Sequence, residues 1–270
     1  MDEIAREMTA TAVLDGIEGN IRALFTAFGC LPAAEVEDSP EMLRFLSGIP
    51  FPLFNGITGA HLASDATDAM VATALAPFRE RHLPMLWWIG PATVPADLGA
   101  RLEAHGLTRI GEMPGMAIDL RTLDDRPPMI SGLTIMPVRD AATLRRYIDV
   151  LVAGYPLPAI AGEGFTDLCA RLGLHDTLPI RHYLALLDGE PVATSMLALA
   201  SGVAGVWNVA TLPAGRRRGI GTAITGAALL DARAAGYDVG VLLSSKQGFG
   251  AYERMGFRQH CTVAQYLYQP

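Results

Sequence analysis

Apolar residues at Ile17, Ile21, Leu24, Phe25 and Phe28 form a stripe with helical spacing. A helix is expected within Met1 to Gly29, in two pieces broken near Gly16 and Gly19. Glu35 to Asp38 reads as a polar turn. Met42 to Ile49 and Leu53 to Ala63 read as strands around Pro50-Phe51-Pro52. Asp68 to His82 is helical, with Asp65 or Thr67 near its cap. Met85 to Ile89 is a short strand containing Trp87 and Trp88. Pro95 to His105 is a short helix stopped by Gly106. Arg109 to Leu120 is a strand pair or one bent strand.

Arg121 to Ser131 contains two prolines and few large apolar groups, so it reads as a linker. After it come a strand at Leu133 to Val138 and a helix at Asp140 to Ala153, with Asp140 as N-cap. Tyr155 to Gly162 is a loop and Glu163 to Leu172 a second helix. Arg181 to Leu187 and Pro191 to Ala200 pair as a hairpin, because Asp188-Gly189 is a strong tight-turn signal. Val203 to Thr211 is the next strand. A loop leads to a long helix ending near Gly236. Then follow a strand at Val239 to Ser244, a helix at Gln247 to Met255 and a last strand at Gln259 to Tyr268.

This order suits an α/β (α+β) protein with a mixed, mostly antiparallel sheet and helices on both faces. The segments 102–107 and 250–257 are alike. Each is a short helix ending in Gly plus a large apolar residue, between two apolar strands. Two similar domains are therefore expected, residues 1–125 and 126–270.

Composition narrows the function. The chain has 270 residues, half of them hydrophobic, and a net charge of -7. That charge opposes a general nucleic-acid binder and gives a weak preference for cationic small molecules. Three scattered cysteines offer no disulfide framework or zinc spacing. No metal is expected. The N-terminus lacks a signal peptide, and no apolar run is long enough for a bilayer. A cytoplasmic protein without membrane contact is expected, and a homodimer is left open.

The chemistry concentrates in Ala210 to Asp231. Arg216, Arg217 and Arg218 precede Gly219 and Gly221, where a strand gives way to a helix. Glycine lets a ligand approach the backbone, and the first N–H groups of a helix point outward with favourable polarity for anions. This is an anion site suited to phosphate or pyrophosphate. It is not a P-loop, since Gly-Lys-Ser/Thr is missing, nor a dinucleotide fingerprint, since the third glycine is missing. The pattern Arg216-x-x-Gly219-x-Gly221 resembles the acyl-CoA pyrophosphate loop of the GCN5-related N-acetyltransferases. A second stretch, Ser245-x-x-Gly248 with Tyr252-Glu253-x-x-Gly256-Phe257, resembles the end of the same fold. The resemblance covers Leu133 to Tyr268, and makes residues 1–125 a degenerate copy.

The resemblance implies acetyl-CoA, or another acyl-CoA, as co-substrate and a small-molecule amine as acceptor. Arg216, Arg217, Arg218, Gly219, Ile220, Gly221 and Thr222 would surround the pyrophosphate. Thr222 either donates to a phosphate or serves the helix start. Val209 or Ala210 would offer an N–H to the thioester oxygen, and Thr211 would pair with pantetheine. Ser245 either contacts pantetheine or caps the next helix. Tyr252 would protonate the departing thiolate. Trp207 and Asn208 stand where many relatives carry a glutamate base, and neither can act as one; Asn208 would hold a water or the substrate. His182, His175 and Glu163 are conceivable bases, and an already neutral amine needs none. Tyr155, Pro156, Leu157 and Phe165 would form a partly apolar acceptor wall. Trp87 and Trp88 fit core packing better than a role in capping it. The missing acid also allows a non-catalytic acyl-CoA-binding regulatory module, and a protein N-acetyltransferase is a further alternative.

Overall fold

Helix α1 (Ala10–Thr26) runs unbroken through Gly16 and Gly19, where a break is expected from sequence. The reason is packing. A Cβ on Gly16 would lie 2.6 Å from Val203 Cγ1, and one on Gly19 2.6 Å from Ser201 Oγ. The two glycines let the helix lie close to the chain at 201–203, and so serve contact rather than termination.

The computed structural model describes residues 4–5, 8–63, 66–124 and 129–270. Asp65, the linker residues 125–128 and the expected boundary at 125/126 lie outside them. By internal packing the chain forms two units, Met1–Asn20 with Gly115–His260, and Ile21–Pro114 with Cys261–Pro270.

The larger unit contains β6 (Leu133–Pro137), α4 (Ala141–Gly154), α5 (Ala159–Leu172), β7 (Ile180–Leu187), β8 (Glu190–Ala200), β9 (Val203–Thr211), α6 (Ile220–Ala234), β10 (Val239–Leu243) and α7 (Phe249–Met255). Its strands are ordered β5-β10-β9-β8-β7-β6, with β5 (Thr108–Asp119) entering through its last residues. Neighbours are antiparallel except β9 and β10, which run parallel. Helix α6 buries Ile220, Ile224, Ala228 and Leu229 against one face, with Ala204 and Val206 of β9. The other face carries α4, whose Tyr147 ring lies edge-on to His182 of β7, with centroids 5.1 Å apart.

Local sequence explains the edges of these elements. The Asp140 side chain accepts from the Thr143 N–H at 2.7 Å, and Thr143 Oγ1 in turn accepts from the Asp140 N–H at 3.3 Å. That capping box starts α4 and holds the Asp140 carboxyl below its usual range. Asp188 and Gly189 both have positive φ, 52° and 87°, as a two-residue hairpin turn demands.

The smaller unit has strand order β1-β2-β3-β4-β11. These are β1 (Glu35–Asp38), β2 (Leu43–Leu46), β3 (Asn55–Thr58), β4 (Met85–Ile89) and β11 (Arg258–Tyr268), with helices α2 (Thr67–Glu80) and α3 (Leu98–Ala104). The expected polar turn at Glu35 to Asp38 is an edge strand paired with β2. Its acids suit an edge, where charge discourages further pairing. Trp87 and Trp88 are both buried in the core, as favoured. They point to opposite sides, Trp87 into the α2 cluster and Trp88 against Phe25 at 5.4 Å.

The two units repeat one motif. In each, a parallel strand pair, β3 with β4 or β9 with β10, is followed by a short helix and a long strand. The long strands are exchanged: β5 pairs with β10, and β11 with β4.

One buried contact ties α1 to β9. Asn20 is fully buried; its Nδ2 donates to Ala198 O at 2.9 Å and its Oδ1 accepts from Trp207 Nε1 at 2.9 Å. Gly205 makes room for this pair, since a Cβ there would lie 2.0 Å from Asn20 Oδ1. Gly205→Ala is expected to destabilise the protein by about 1–3 kcal/mol through overpacking. Urea unfolding measures this, and an unchanged midpoint would contradict the packing described.

Candidate functional site

The parallel pairing of β9 with β10 is short. Among the described residues it is recorded at Ala204–Gly240 and Val206's neighbour Gly205–Val241, yet the strands run on to Thr211 and Leu243. Beyond the paired residues β9 becomes irregular. Asn208 has φ 52°, in the left-handed region. The β8–β9 register shifts there, from Met196–Trp207 to Thr194–Ala210. Thr194 Oγ1 holds the bulge by donating to Asn208 O at 2.8 Å. A bulge bends its strand and increases the local twist. Here it accompanies an opening between β9 and β10, with Val209, Ala210 and Thr211 along one edge.

The β9–α6 loop lies at the mouth of that opening. Residues Pro213–Gly215 make a 3-10 turn. Arg216 Nε donates to Thr211 O at 2.9 Å, so this side chain braces the loop. Arg217 and Arg218 are exposed. Gly219 takes φ 79° at the helix N-cap, and no side chain caps the helix. The first bond recorded into α6 joins Ala223 N–H to Gly219 O. The preceding amides of Ile220, Gly221 and Thr222 occupy the turn whose donors lack intrahelical acceptors. Gly219 and Gly221 are glycines for different reasons. Gly219 is required by its backbone. A Cβ on Gly221 would meet only Thr211 Oγ1, at 3.4 Å, an ordinary contact. Among the described residues, packing does not demand glycine at 221, and its lack of a side chain leaves the backbone open to approach. The residues fit a pyrophosphate.

Two tyrosines reach the opening. Tyr155, following α4, donates its hydroxyl to Val209 O at 2.9 Å. Tyr252 on α7 sets its ring edge-on to Phe257, with centroids 5.7 Å apart. Burial pushes the Tyr252 hydroxyl up to about 12, with the Thr225 hydroxyl acting in the opposite direction. The Tyr252 hydroxyl therefore keeps its proton at neutral pH. Tyr155 was expected only as apolar wall; its hydroxyl contact to the bulged strand has no signature in the sequence.

Ser245 Oγ accepts from the Gly248 N–H at 3.1 Å, which makes it the cap of the turn into α7. Asn208 Nδ2 lies 3.7 Å from Met196 Sδ. His182 is 3% exposed on β7, with β8 between it and β9, so the fold does not bring it to the opening. Burial lowers it to about 4 and keeps it neutral. His175 is exposed and bonded to Thr177 Oγ1 at 2.9 Å, and Glu163 is exposed on α5. A separate cavity of about 200 Å³ includes Arg139, Asp176, Arg181 and Asp231 in its lining. Its arginines are paired with its aspartates, so it offers no net charge to a ligand. Among the described residues, no group of three or more His, Cys, Asp or Glu side chains could hold a metal ion. Nor is any helix long and apolar enough to cross a membrane.

Residues 179–259 match the family model described as an acetyltransferase (GNAT) domain. Curated proteins give no match. Among solved structures, the chain is similar to a GCN5-related N-acetyltransferase from Kribbella flavida, at TM-score 0.70 and 19% identity, covering 98% of this chain and 97% of that one. A GCN5-related N-acetyltransferase from Sphaerobacter thermophilus aligns at TM-score 0.62 and 16% identity, over 87% and 76% of the two chains. A tandem GNAT protein from the clavulanic acid biosynthesis pathway aligns at TM-score 0.62 and 15% identity, over 99% and 96%. At these identities the likenesses show the fold. It is the mixed, mostly antiparallel sheet with flanking helices expected from the sequence, in an arrangement like that of tandem proteins.

The two loop glycines separate in a stability measurement. Gly219→Ala is expected to lose about 1–2 kcal/mol, because an L-residue is forced into the left-handed region. Gly221→Ala is expected to unfold at or above the parent's urea midpoint, since alanine favours the helix. Equal losses in both variants would contradict the distinction.

Proposed function

We propose that this chain, whose residues 179–259 match an acetyltransferase (GNAT) domain model, acts as a GCN5-related N-acetyltransferase and transfers an acetyl group, or another acyl group, from its CoA thioester to the amine of a small or amino-acid-like molecule. One observation carries this reading. The start of α6, which no side chain caps and where packing does not require the glycine at 221, follows by one short loop the bulged end of β9, past its pairing with β10. A diphosphate at the helix start and an acyl chain in the strand opening would be held by adjoining parts of one carrier.

In this reading the amides of Gly219, Ile220, Gly221 and Thr222 bind the pyrophosphate, with Arg216 bracing the loop and Arg217 and Arg218 adding positive charge. Thr211 and Ser245 flank pantetheine. The Val209 or Ala210 N–H donates to the thioester oxygen as it gains negative charge. Tyr252 gives its proton to the leaving thiolate; its raised pKa keeps that proton in place at neutral pH until the thiolate departs. Asn208 orients the amine or a water. No side chain on β9 can accept a proton, so the amine would enter already neutral, its nitrogen would pass its extra proton to water after attack, and water would restore the Tyr252 hydroxyl. Residues 1–125 are read as a degenerate second copy, supported by the repeated strand–helix–strand motif. The scattered cysteines suit a reducing compartment, the cytoplasm.

Calorimetric titration with acetyl-CoA tests the reading, and absence of binding by the folded protein overturns it. Gly221→Val is expected to weaken acetyl-CoA binding by at least about tenfold, roughly 1.4 kcal/mol. Tyr252→Phe is expected to lower kcat by about 10²-fold, a typical contribution of a general acid, with CoA affinity little changed. Activity should rise with pH as the acceptor amine loses its proton. Tyr252 stays protonated until about 12, so no basic decline is expected below about pH 10. A decline centred near neutrality would assign the acid to another group.

A further inference from the structure

The proposed opening leaves the amine acceptor undefined, and one face of β9 bears on it. Ala204, Val206 and Val209 pack with the α6 cluster. The opposite face therefore presents Gly205, Trp207 and, across the bulge, Asn208 and Ala210. Three contacts agree. Gly205 abuts Asn20 of α1, Trp207 bonds to it, and Ala210 lies against Gly154 at the end of α4.

Trp207 is half-buried and firmly placed. Its indole N–H is bonded to Asn20, which is itself fixed to Ala198 O at 2.9 Å and Ala200 O at 3.4 Å. Three polar bonds in a fully buried site hold one ring beside the bulge. Satisfying the indole N–H against α1 leaves the ring's apolar surface as what Trp207 can offer a ligand. Around the α4–α5 connection, Tyr155 is 45% exposed and Ile160 39% exposed, although both are large and apolar in body. The sequence of β9, VAGVWNVAT, has no acidic residue, and neither has the connection 154–162. A second positive charge on the acceptor would find no counter-charge on either segment.

We infer that Trp207, positioned by Asn20, is a specificity-determining residue that selects primary amines with an uncharged, apolar or aromatic body. This rests on the acyl-transfer reading and names its acceptor class. The weak preference for cationic acceptors drawn from net charge is overridden by the local surface. Flat, apolar groups stack on an indole face, and burying both surfaces removes them from water.

The test compares 2-phenylethylamine with 1,4-diaminobutane as acceptors for acetyl-CoA, with thiol release as the readout. The intact protein is expected to favour 2-phenylethylamine at least about tenfold in kcat/KM. Trp207→Leu should erase most of that preference through KM. Trp207→Phe, which keeps an aromatic face, should retain it. Asn20→Ala should raise KM for 2-phenylethylamine and shift the tryptophan emission. Because that variant also uncovers two buried carbonyls and can fail to fold, the Trp207 pair decides the matter. Acetyl-CoA titrations on every variant separate the two readings. Normal CoA binding with a preference for 1,4-diaminobutane, with no turnover of either amine, or with an unchanged preference in Trp207→Leu, overturns this inference alone. Failure of the folded parent to bind acetyl-CoA overturns the transfer reading and this inference with it.

Discussion

Two parallel strands that pair briefly and then part are the constraint around which this molecule is arranged. Backbone groups removed from a sheet need other partners, and leaving them buried without any is costly. The pairing ends at Gly205, ahead of the left-handed residue Asn208, whose bulge is secured by the Thr194 hydroxyl. Tyr155 takes up the Val209 carbonyl from above. What is left is a short stretch of strand edge inside the sheet. A chain-like ligand can complete such an edge as an added strand does. The loop that follows then turns on Gly219 into a helix that no side chain caps, so amides of the kind that suit an anion follow the strand edge.

The sheet ends elsewhere are treated differently. Each unit closes against its parallel pair with a long strand supplied by the other half of the chain, β5 for β10 and β11 for β4. The closing strands supply the partners that β10 and β4 need on their outer sides. Neither half of the sequence therefore contains a complete set of strands for its own sheet. The division of the chain into Met1–Asn20 with Gly115–His260, and the rest, follows from this exchange.

Much of this is legible in the sequence. The Asp188-Gly189 turn, the Asp140 cap and the glycine–arginine loop are local features, and local chemistry decides them. The errors fell where distant residues decide. Gly16 and Gly19 read as helix breakers because glycine lowers helix propensity, but Val203 and Ser201 lie close enough to make glycine necessary. Glu35 to Asp38 read as a turn because it is acidic, yet it pairs with β2 at an edge. Ser245 bonds the Gly248 N–H in the turn before α7, a contact the sequence leaves open. The Asn20–Trp207 bond spans 187 positions in sequence and leaves no periodic trace. His182 looked as eligible as any other base, and only the strand order removes it from the opening.

The absence of a carboxylate on β9 and the apolar character of the neighbouring surface belong to one argument. A general base helps acyl transfer because an ammonium ion has no lone pair with which to attack. An apolar surrounding acts on the same equilibrium by another route: it penalises the charged form and lowers the pKa of an amine brought into it. Trp207, Tyr155 and Ile160 have the surface for this, whereas Asn208 has only an amide that neither gains nor loses a proton. On the proposed reading, desolvation at the Trp207 side prepares the nucleophile, and the retained proton of Tyr252 receives the leaving group on the other. Selection of the acceptor and its activation would then arise from the same surface, so a wall suited to an uncharged body also does the work for which related chemistry uses an acid side chain.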